Sequence, residues 1–140
     1  WLQSALFAMG RSYDQRWIKP VVHMLDHPDP MVQYEAVRAA GELEVQEARD
    51  LLFDLLDSVA DDQDLLFAVI WSLTKIGGGE IRKLIEIDHY ATNDPEEQQF
   101  LEEALENLDF TEQVNAFDML VLEEEDPEDW IDDELETEDL

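Results

Sequence analysis

The sequence predicts an all-α protein, an α-solenoid (superhelix) of about four antiparallel helical hairpins with an acidic C-terminal tail. One observation is a six-residue pattern with a small first residue, which recurs from Ala5, Ala36, Ser72 and Ala104 at spacings of 31, 36 and 32 residues. A second is that each copy carries apolar residues at helical spacing. A hairpin of this size cannot bury its apolar face alone, so stacked copies are expected to share one continuous core.

The second copy, residues 29–43, is the best preserved. Asp29 is suited to cap a helix, and Pro30 suits the first helical position, where no backbone N–H is needed. Gly41 is expected near the helix end, where a glycine favours a left-handed cap. A second helix is expected at residues 45–58, and the small side chains of the first helix predict a close helix contact. The apolar stripe of the first helix comprises Val32, Ala36, Val37 and Ala40.

The other copies give weaker helix boundaries. The first is expected to pair residues 1–10 with a helix at about 13–26, and the third pairs 62–76 with 79–90 across the glycines at 77–79. In this register the chain starts inside a helix, which is typical of a fragment of a longer solenoid.

The fourth copy begins at Asp94-Pro95, and Glu97 is placed to complete a capping box with Asp94. Its second helix is predicted at 111–122. The repeat domain is therefore expected to span residues 1–122, with repeats at about 1–28, 29–60, 61–93 and 94–122 and an acidic tail at 123–140, either disordered or docked as a short segment.

Charge is distributed unevenly along the chain. The formal net charge is −29. Residues 1–83 hold 14 acidic and 8 basic residues, whereas residues 84–140 hold 23 acidic residues and no Lys or Arg. An acidic half of this kind repels nucleic acid and anionic membranes and attracts basic proteins. A halophilic host would also explain high acidity, but the ordinary balance of the first half argues against it.

The pattern Asp29-Pro30-x-Val32-x-x-x-Ala36-x-x-x-x-Gly41 resembles HEAT-like repeats, most closely the short repeat named after phycobilisome lyases. The resemblance covers residues 1 to about 120. It implies a solenoid whose second helices line a concave face that commonly binds proteins, and some members take part in attaching bilins. The third copy departs at Ser72, and the fourth replaces the glycine with Asp109.

Two groups of residues are candidates for partner binding. Aligning the second helices predicts a basic ladder formed by Lys19, Arg49, Arg82 and Lys83. The alternative is that these cations are solvated and paired with nearby carboxylates. In the tail, the acidic run is interrupted by Trp130, Ile131 and Leu135. The tail could fold back on the basic ladder, reach outward to a basic partner, or remain unbound.

Residues typical of catalysis or cofactor binding are scarce. The chain has no cysteine, which excludes disulfides and thiolate chemistry and fits a cytoplasmic location. His23 and His27 stand at i and i+4, a spacing that zinc can use, but no third ligand is evident. The glycines at 77–79 lack the Lys-Ser/Thr of a phosphate loop. No apolar run reaches the roughly 20 residues of a membrane helix. No enzyme activity, cofactor or metal is therefore expected.

The sequence favours a non-catalytic protein-interaction or scaffold module that binds a partner with a basic surface on the concave face, the acidic C-terminal half, or both. Two alternatives stay open. One is an accessory subunit of a chromophore lyase or chaperone-like system. The other is an acidic mimic that sequesters a basic nucleic-acid-binding protein.

Overall fold

The computed structural model describes residues 1–124, and it describes their side chains as far as Val121. This part of the chain is helical throughout apart from short connections. Short 3-10 turns at Gln15–Trp17 and Gln46–Ala48 lead into the second and fourth helices. The helices are α1 (Leu2–Ser12), α2 (Ile18–Met24), α3 (Pro30–Glu42), α4 (Arg49–Ser58), α5 (Gln63–Ile76), α6 (Gly79–Ala91) and α7 (Pro95–Glu124).

Aspartates cap three of the first helices, and two of them, Asp29 and Asp94, are the predicted start signals. The Asp29 carboxylate accepts a hydrogen bond from the backbone N–H of Met31 at 3.0 Å. Asp62 accepts one from Leu65 at 3.2 Å, and the Asp94 carboxylate accepts the N–H of Glu96. Each cap satisfies a donor that a helix start leaves free, so the repeats begin where the Asp signals stand.

The helices form two layers. The first helices of successive hairpins stack in the order α1, α3, α5, α7. Each second helix packs mainly against the first helix of the next hairpin, so α2 lies on α3, α4 on α5 and α6 on α7. This arrangement confirms the predicted all-α solenoid. The core runs continuously from Leu6 in α1 to Leu108 in α7.

Small residues allow the first helices to approach closely. A Cβ added at Gly10 would lie 2.9 Å from the Ala39 Cα, and one added at Gly41 would lie 2.8 Å from the Ser72 Cα. Gly41 therefore sits inside α3 at a helix contact, and the expectation that it forms a left-handed cap is wrong. The positive φ of 51° belongs to Glu44, beyond the helix end.

Two predicted helix starts and one predicted cap also differ from the structure. The helix expected at residues 45–58 begins at Arg49, because the 3-10 turn Gln46–Ala48 precedes it. The second helix of the first hairpin begins at Ile18 rather than near Tyr13, because Tyr13 is left-handed (φ 53°) and Asp14 caps the short turn that follows. Pro20 then falls in the first turn of α2, where its missing N–H is tolerated. The capping box of α7 is absent: Glu97 accepts a hydrogen bond from the Thr92 hydroxyl instead of the Asp94 N–H.

The largest difference is at the fourth copy. The break predicted before Thr111 does not form, and α7 continues for 30 residues from Pro95 to Glu124. No glycine or proline interrupts residues 96–124, so nothing in the sequence favours a turn there. The described chain thus consists of three hairpins followed by one long helix. The predicted tail falls mostly at residues 125–140, outside the described residues.

Candidate protein-binding surface

One side of α7 is fixed to the solenoid by side-chain contacts. Arg82 of α6 donates hydrogen bonds from Nη2 to Asp109 at 2.6 Å and to Glu112 at 2.8 Å. These bonds raise the pKa of Arg82, with the Asp109 bond the larger cause. On the α5 side, the Asn107 amide donates to the Thr74 hydroxyl at 2.7 Å. The contacts span the site of the predicted break and hold α7 in line with the stack.

Buried apolar residues complete this attached side of α7. Leu101, Ala104 and Leu108 are at most 1% exposed. Phe100 stacks on Phe67 of α5, with ring centroids 4.0 Å apart and planes 10° from parallel. The first half of α7 therefore behaves as the first helix of a fourth repeat.

The opposite side of α7 is free of such contacts along the described chain. Successive helical residues are about 100° apart, which places Phe110, Val114, Phe117 and Val121 in one sector roughly 180° from Leu108. Their exposed fractions are 63%, 41%, 64% and 40%. We call these four residues the α7 seam, because their 4-3-4 spacing is that of the contact line between two helices of a coiled coil.

The same sector is polar in the first half of α7. Gln99, Glu103 and Glu106 lie along it and are exposed. The free side of α7 therefore begins acidic and ends apolar. The whole helix carries ten acidic residues and no Lys or Arg, so the α7 seam lies within a strongly negative surface.

The last turns of α7 extend beyond the stack. Thr111 and Asn115 still lie beside Gly77 in the α5–α6 connection. From Ala116 to Val121 every residue is exposed, including Met119 (66%) and Leu120 (61%). Exposed apolar side chains gathered on one element are typical of a surface that binds another protein.

The predicted basic ladder contains two engaged and two exposed cations. Arg82 is held by α7, as described above. Arg49 donates from Nη2 to Gln46 at 2.9 Å and packs over Gly78, near the C-terminal end of α5, where a cation is favourable. Lys19 and Lys83 are exposed. The guanidinium groups of both arginines therefore already contact residues of this chain. The basic ladder as a binding site stays a prediction.

The other three predicted partner-binding residues, Trp130, Ile131 and Leu135, lie outside the described residues. Their role, and the predicted contact between tail and ladder, stay predictions.

Two concave features lie elsewhere on the solenoid. A groove of about 610 Å³ runs along the first-helix side and is lined by the aromatic residues Tyr34, Phe67, Trp71 and Phe100. A cleft of about 410 Å³ lies between the second helices α2 and α4. The cleft has apolar walls at Leu51 and Leu55 and acidic groups at its edge, and none of the predicted ladder residues lines it.

Neither a metal site nor a membrane-spanning helix is found in the described part of the chain. No group of three His, Asp or Glu side chains within residues 1–124 could hold a metal ion. The Nδ1 atom of His27, one of the two histidines considered as ligands, accepts a hydrogen bond from the Asp29 N–H at 3.0 Å. No helix over this range is both long and apolar enough to cross a bilayer.

Comparison with known proteins gives the family. The stacked hairpins define a helical-repeat solenoid. The profile of HEAT repeats matches residues 2–74 and again residues 18–113, and the chain belongs to this family. HEAT-repeat proteins generally act as protein-interaction scaffolds and are typically non-catalytic. A search of curated proteins found no match. The finer resemblance to the lyase-type repeat stays a prediction.

Sequence reasoning assigned residues 111–122 to a second helix of the fourth hairpin. Val114 and Phe117 are exposed because no partner helix folds back on them within residues 1–124. The helical spacing could have indicated this exposure. On one uninterrupted helix, these residues lie opposite Leu101, Ala104 and Leu108. The aromatic groove was missed because its side chains come from three helices.

Proposed function

We propose that this chain is a non-catalytic scaffold that binds a protein with a basic surface through its acidic C-terminal half, centred on α7. The observation that supports this most directly is the free side of α7, where exposed apolar residues lie among carboxylates. Apolar contact supplies affinity, and the negative field speeds and selects encounter with basic partners. The cytoplasmic location expected from the cysteine-free sequence stays a prediction.

Binding to a basic surface fits the geometry better than binding on the predicted ladder. The Arg82 guanidinium already bonds two carboxylates of α7, and an acidic ligand would have to displace them. The carboxylates on the free side of α7, such as Glu103 and Glu106, are exposed and need no displacement. Among the described residues, no feature specifically favours chromophore lyase activity.

The test is affinity capture from the native host with the full 140-residue chain as bait, at low and at high salt. The informative variant neutralises three exposed residues of α7, through Glu96→Gln, Glu103→Gln and Glu106→Gln. We expect a basic partner that is retained at low salt, released at high salt and lost with this variant. Long-range attraction to exposed carboxylates is screened within about 10 Å at 0.1 M salt, which explains the salt effect.

A matched control neutralises three exposed carboxylates outside α6 and α7, through Glu47→Gln, Asp57→Asn and Asp61→Asn. It changes the net charge equally, so it is expected to retain the partner. Equal loss with both variants would assign the attraction to net charge alone. Capture of a partner that neither variant weakens would contradict the proposal.

A further inference from the structure

We infer that the α7 seam receives a basic amphipathic helix of a partner protein, which packs along the free side of α7. This inference rests on the proposed function and specifies the kind of partner and the residues that meet it. The four seam residues are Phe110, Val114, Phe117 and Val121.

The position of the seam follows from the stacking order. Each earlier first helix is covered on both sides, as α3 is by α1 and α5, and α5 is by α3 and α7. For α7, only the side toward α5 and α6 is covered within the described chain. The α7 seam lies on the uncovered side, and it runs from the end of the packed half of α7 into the turns that extend beyond the stack.

The spacing of the seam specifies a helical partner. Residues at 110, 114, 117 and 121 alternate steps of four and three, which keeps them on one line along a helix. Aromatic and β-branched side chains alternate along that line, and each can insert between residues of a facing helix. Their exposure of 40–64% leaves about half of this side-chain surface available to a partner.

Charge distinguishes a basic helix from a second copy of this chain. Each α7 helix carries ten carboxylates and no Lys or Arg, so pairing two of them would place two strongly negative surfaces against each other. Like charges at such a contact are unfavourable, whereas Lys and Arg beside a facing apolar line would meet the carboxylates. A partner helix longer than the seam would also reach Glu103 and Glu106, which continue the same side toward the N-terminus of α7.

The direct test uses two synthetic peptides of about 21 residues, three heptads each. The first has Leu at the a and d positions and Lys or Arg elsewhere. The second has the same composition, scrambled so that the leucines share no face. Fluorescence anisotropy measures their binding to the full chain in about 150 mM salt. The first peptide is expected to bind at least about tenfold more tightly than the second.

Variants of the chain locate the contact. Phe117→Ser removes the centre of the seam, and Met119→Ser is its matched control. The two residues are 64% and 66% exposed on the same helix, but they point about 160° apart. Phe117→Ser is expected to weaken binding of the first peptide about tenfold or more, and Met119→Ser is expected to change it less than about threefold.

Any other outcome of these two experiments overturns the inference, and the outcomes also show whether the proposed function survives. If both peptides bind equally, or if both variants act equally, the attraction is general and the seam has no special role, although the proposed function survives. If the first peptide does not bind, the seam does not receive a helix of this chemistry, and the capture experiment still decides the proposed function.

Two further measurements identify other occupants. Sedimentation equilibrium of the full chain would show a dimer that Phe117→Ser dissociates if a second copy covers the seam. Thermal unfolding would show Phe117→Ser to be destabilising if the chain's own tail covers it. The inference requires a monomer in which Phe117→Ser lowers the midpoint no more than Met119→Ser does, because both substitutions change helix propensity and an open seam adds nothing further to the stability of the free chain.

Discussion

Gly41 shows how a single missing side chain sets the distance between two repeats. Atoms of Ser72 lie 2.7–2.8 Å from the place where a Gly41 Cβ would stand, and the Ser72 hydroxyl donates to the Val37 carbonyl at 2.7 Å. Both residues lie in the buried contact between α3 and α5. The glycine therefore serves the close approach of two helices.

We expect Gly41→Ala to lower the free energy of unfolding by about 1–3 kcal/mol, because the added methyl group forces the α3 and α5 backbones apart. Urea denaturation followed by circular dichroism measures the change. Gly79→Ala is the control, since its Cβ would meet nothing within 4 Å, and its effect is expected to stay within about 1 kcal/mol. Equal losses for the two variants would show that helix contact is not the cause.

At the scale of elements, contacts from α5 and α6 support α7 as one continuous helix. Its buried half packs on α5, and Arg82 of α6 bonds both Asp109 and Glu112. These two carboxylates stand three residues apart on one side of the helix, across the site of the predicted turn. The pair of bonds therefore supports a continuous helix where a repeat boundary was expected.

We expect Arg82→Gln to lower the free energy of unfolding by about 1 kcal/mol at low salt and by less at high salt, since both ion pairs are partly exposed. The loss follows from two lost charge-assisted hydrogen bonds and from unrelieved repulsion between Asp109 and Glu112. Lys83→Gln is the control, because it removes the same charge from the next residue, which is exposed. Chemical denaturation at two salt concentrations measures both, and equal losses would contradict a specific role for Arg82.

At the scale of the whole molecule, self-repulsion opposes the folded state. A chain with a net charge of −29 brings its carboxylates closer together when it folds, and salt screens this repulsion. The effect is concentrated in the second half, where basic residues are lacking.

We therefore expect the midpoint of thermal unfolding to rise by about 4 °C between roughly 20 mM and 500 mM NaCl, equivalent to about 1 kcal/mol. Differential scanning calorimetry measures the midpoint. The variant with Glu96, Glu103 and Glu106 changed to Gln should show a smaller rise. A midpoint that is flat or falls with salt would show that favourable ion pairs outweigh the repulsion.

Local signals in the sequence predict the repeats well. The helix starts at Asp29 and Asp94 and the apolar stripes follow from rules that act over one or two helical turns, and α3 and α7 begin where expected. The end of α3 is correct in position, but the reason offered for Gly41 was wrong. Contact between helices, rather than the local backbone, requires a glycine at that position.

The candidate site was predictable only in part. The acidity of the second half is visible in the composition, and the spacing of Phe110, Val114, Phe117 and Val121 can be read from the sequence. Their exposure cannot, because apolar residues at helical spacing look the same whether or not a neighbouring helix covers them. The engagement of Arg82 and Arg49 likewise depends on residues distant in sequence.

The sequence by itself determined that the chain is a helical-repeat solenoid with an acidic C-terminal half, since helical periodicity, caps and charge are local properties. Only the tertiary structure decided that Leu101, Ala104 and Leu108 are the buried side of α7 and that Phe117 and its neighbours face outward. The physical reason is that burial depends on which elements pack together. A partner helix for the second half of α7 is absent from residues 1–124, and this leaves the apolar seam open.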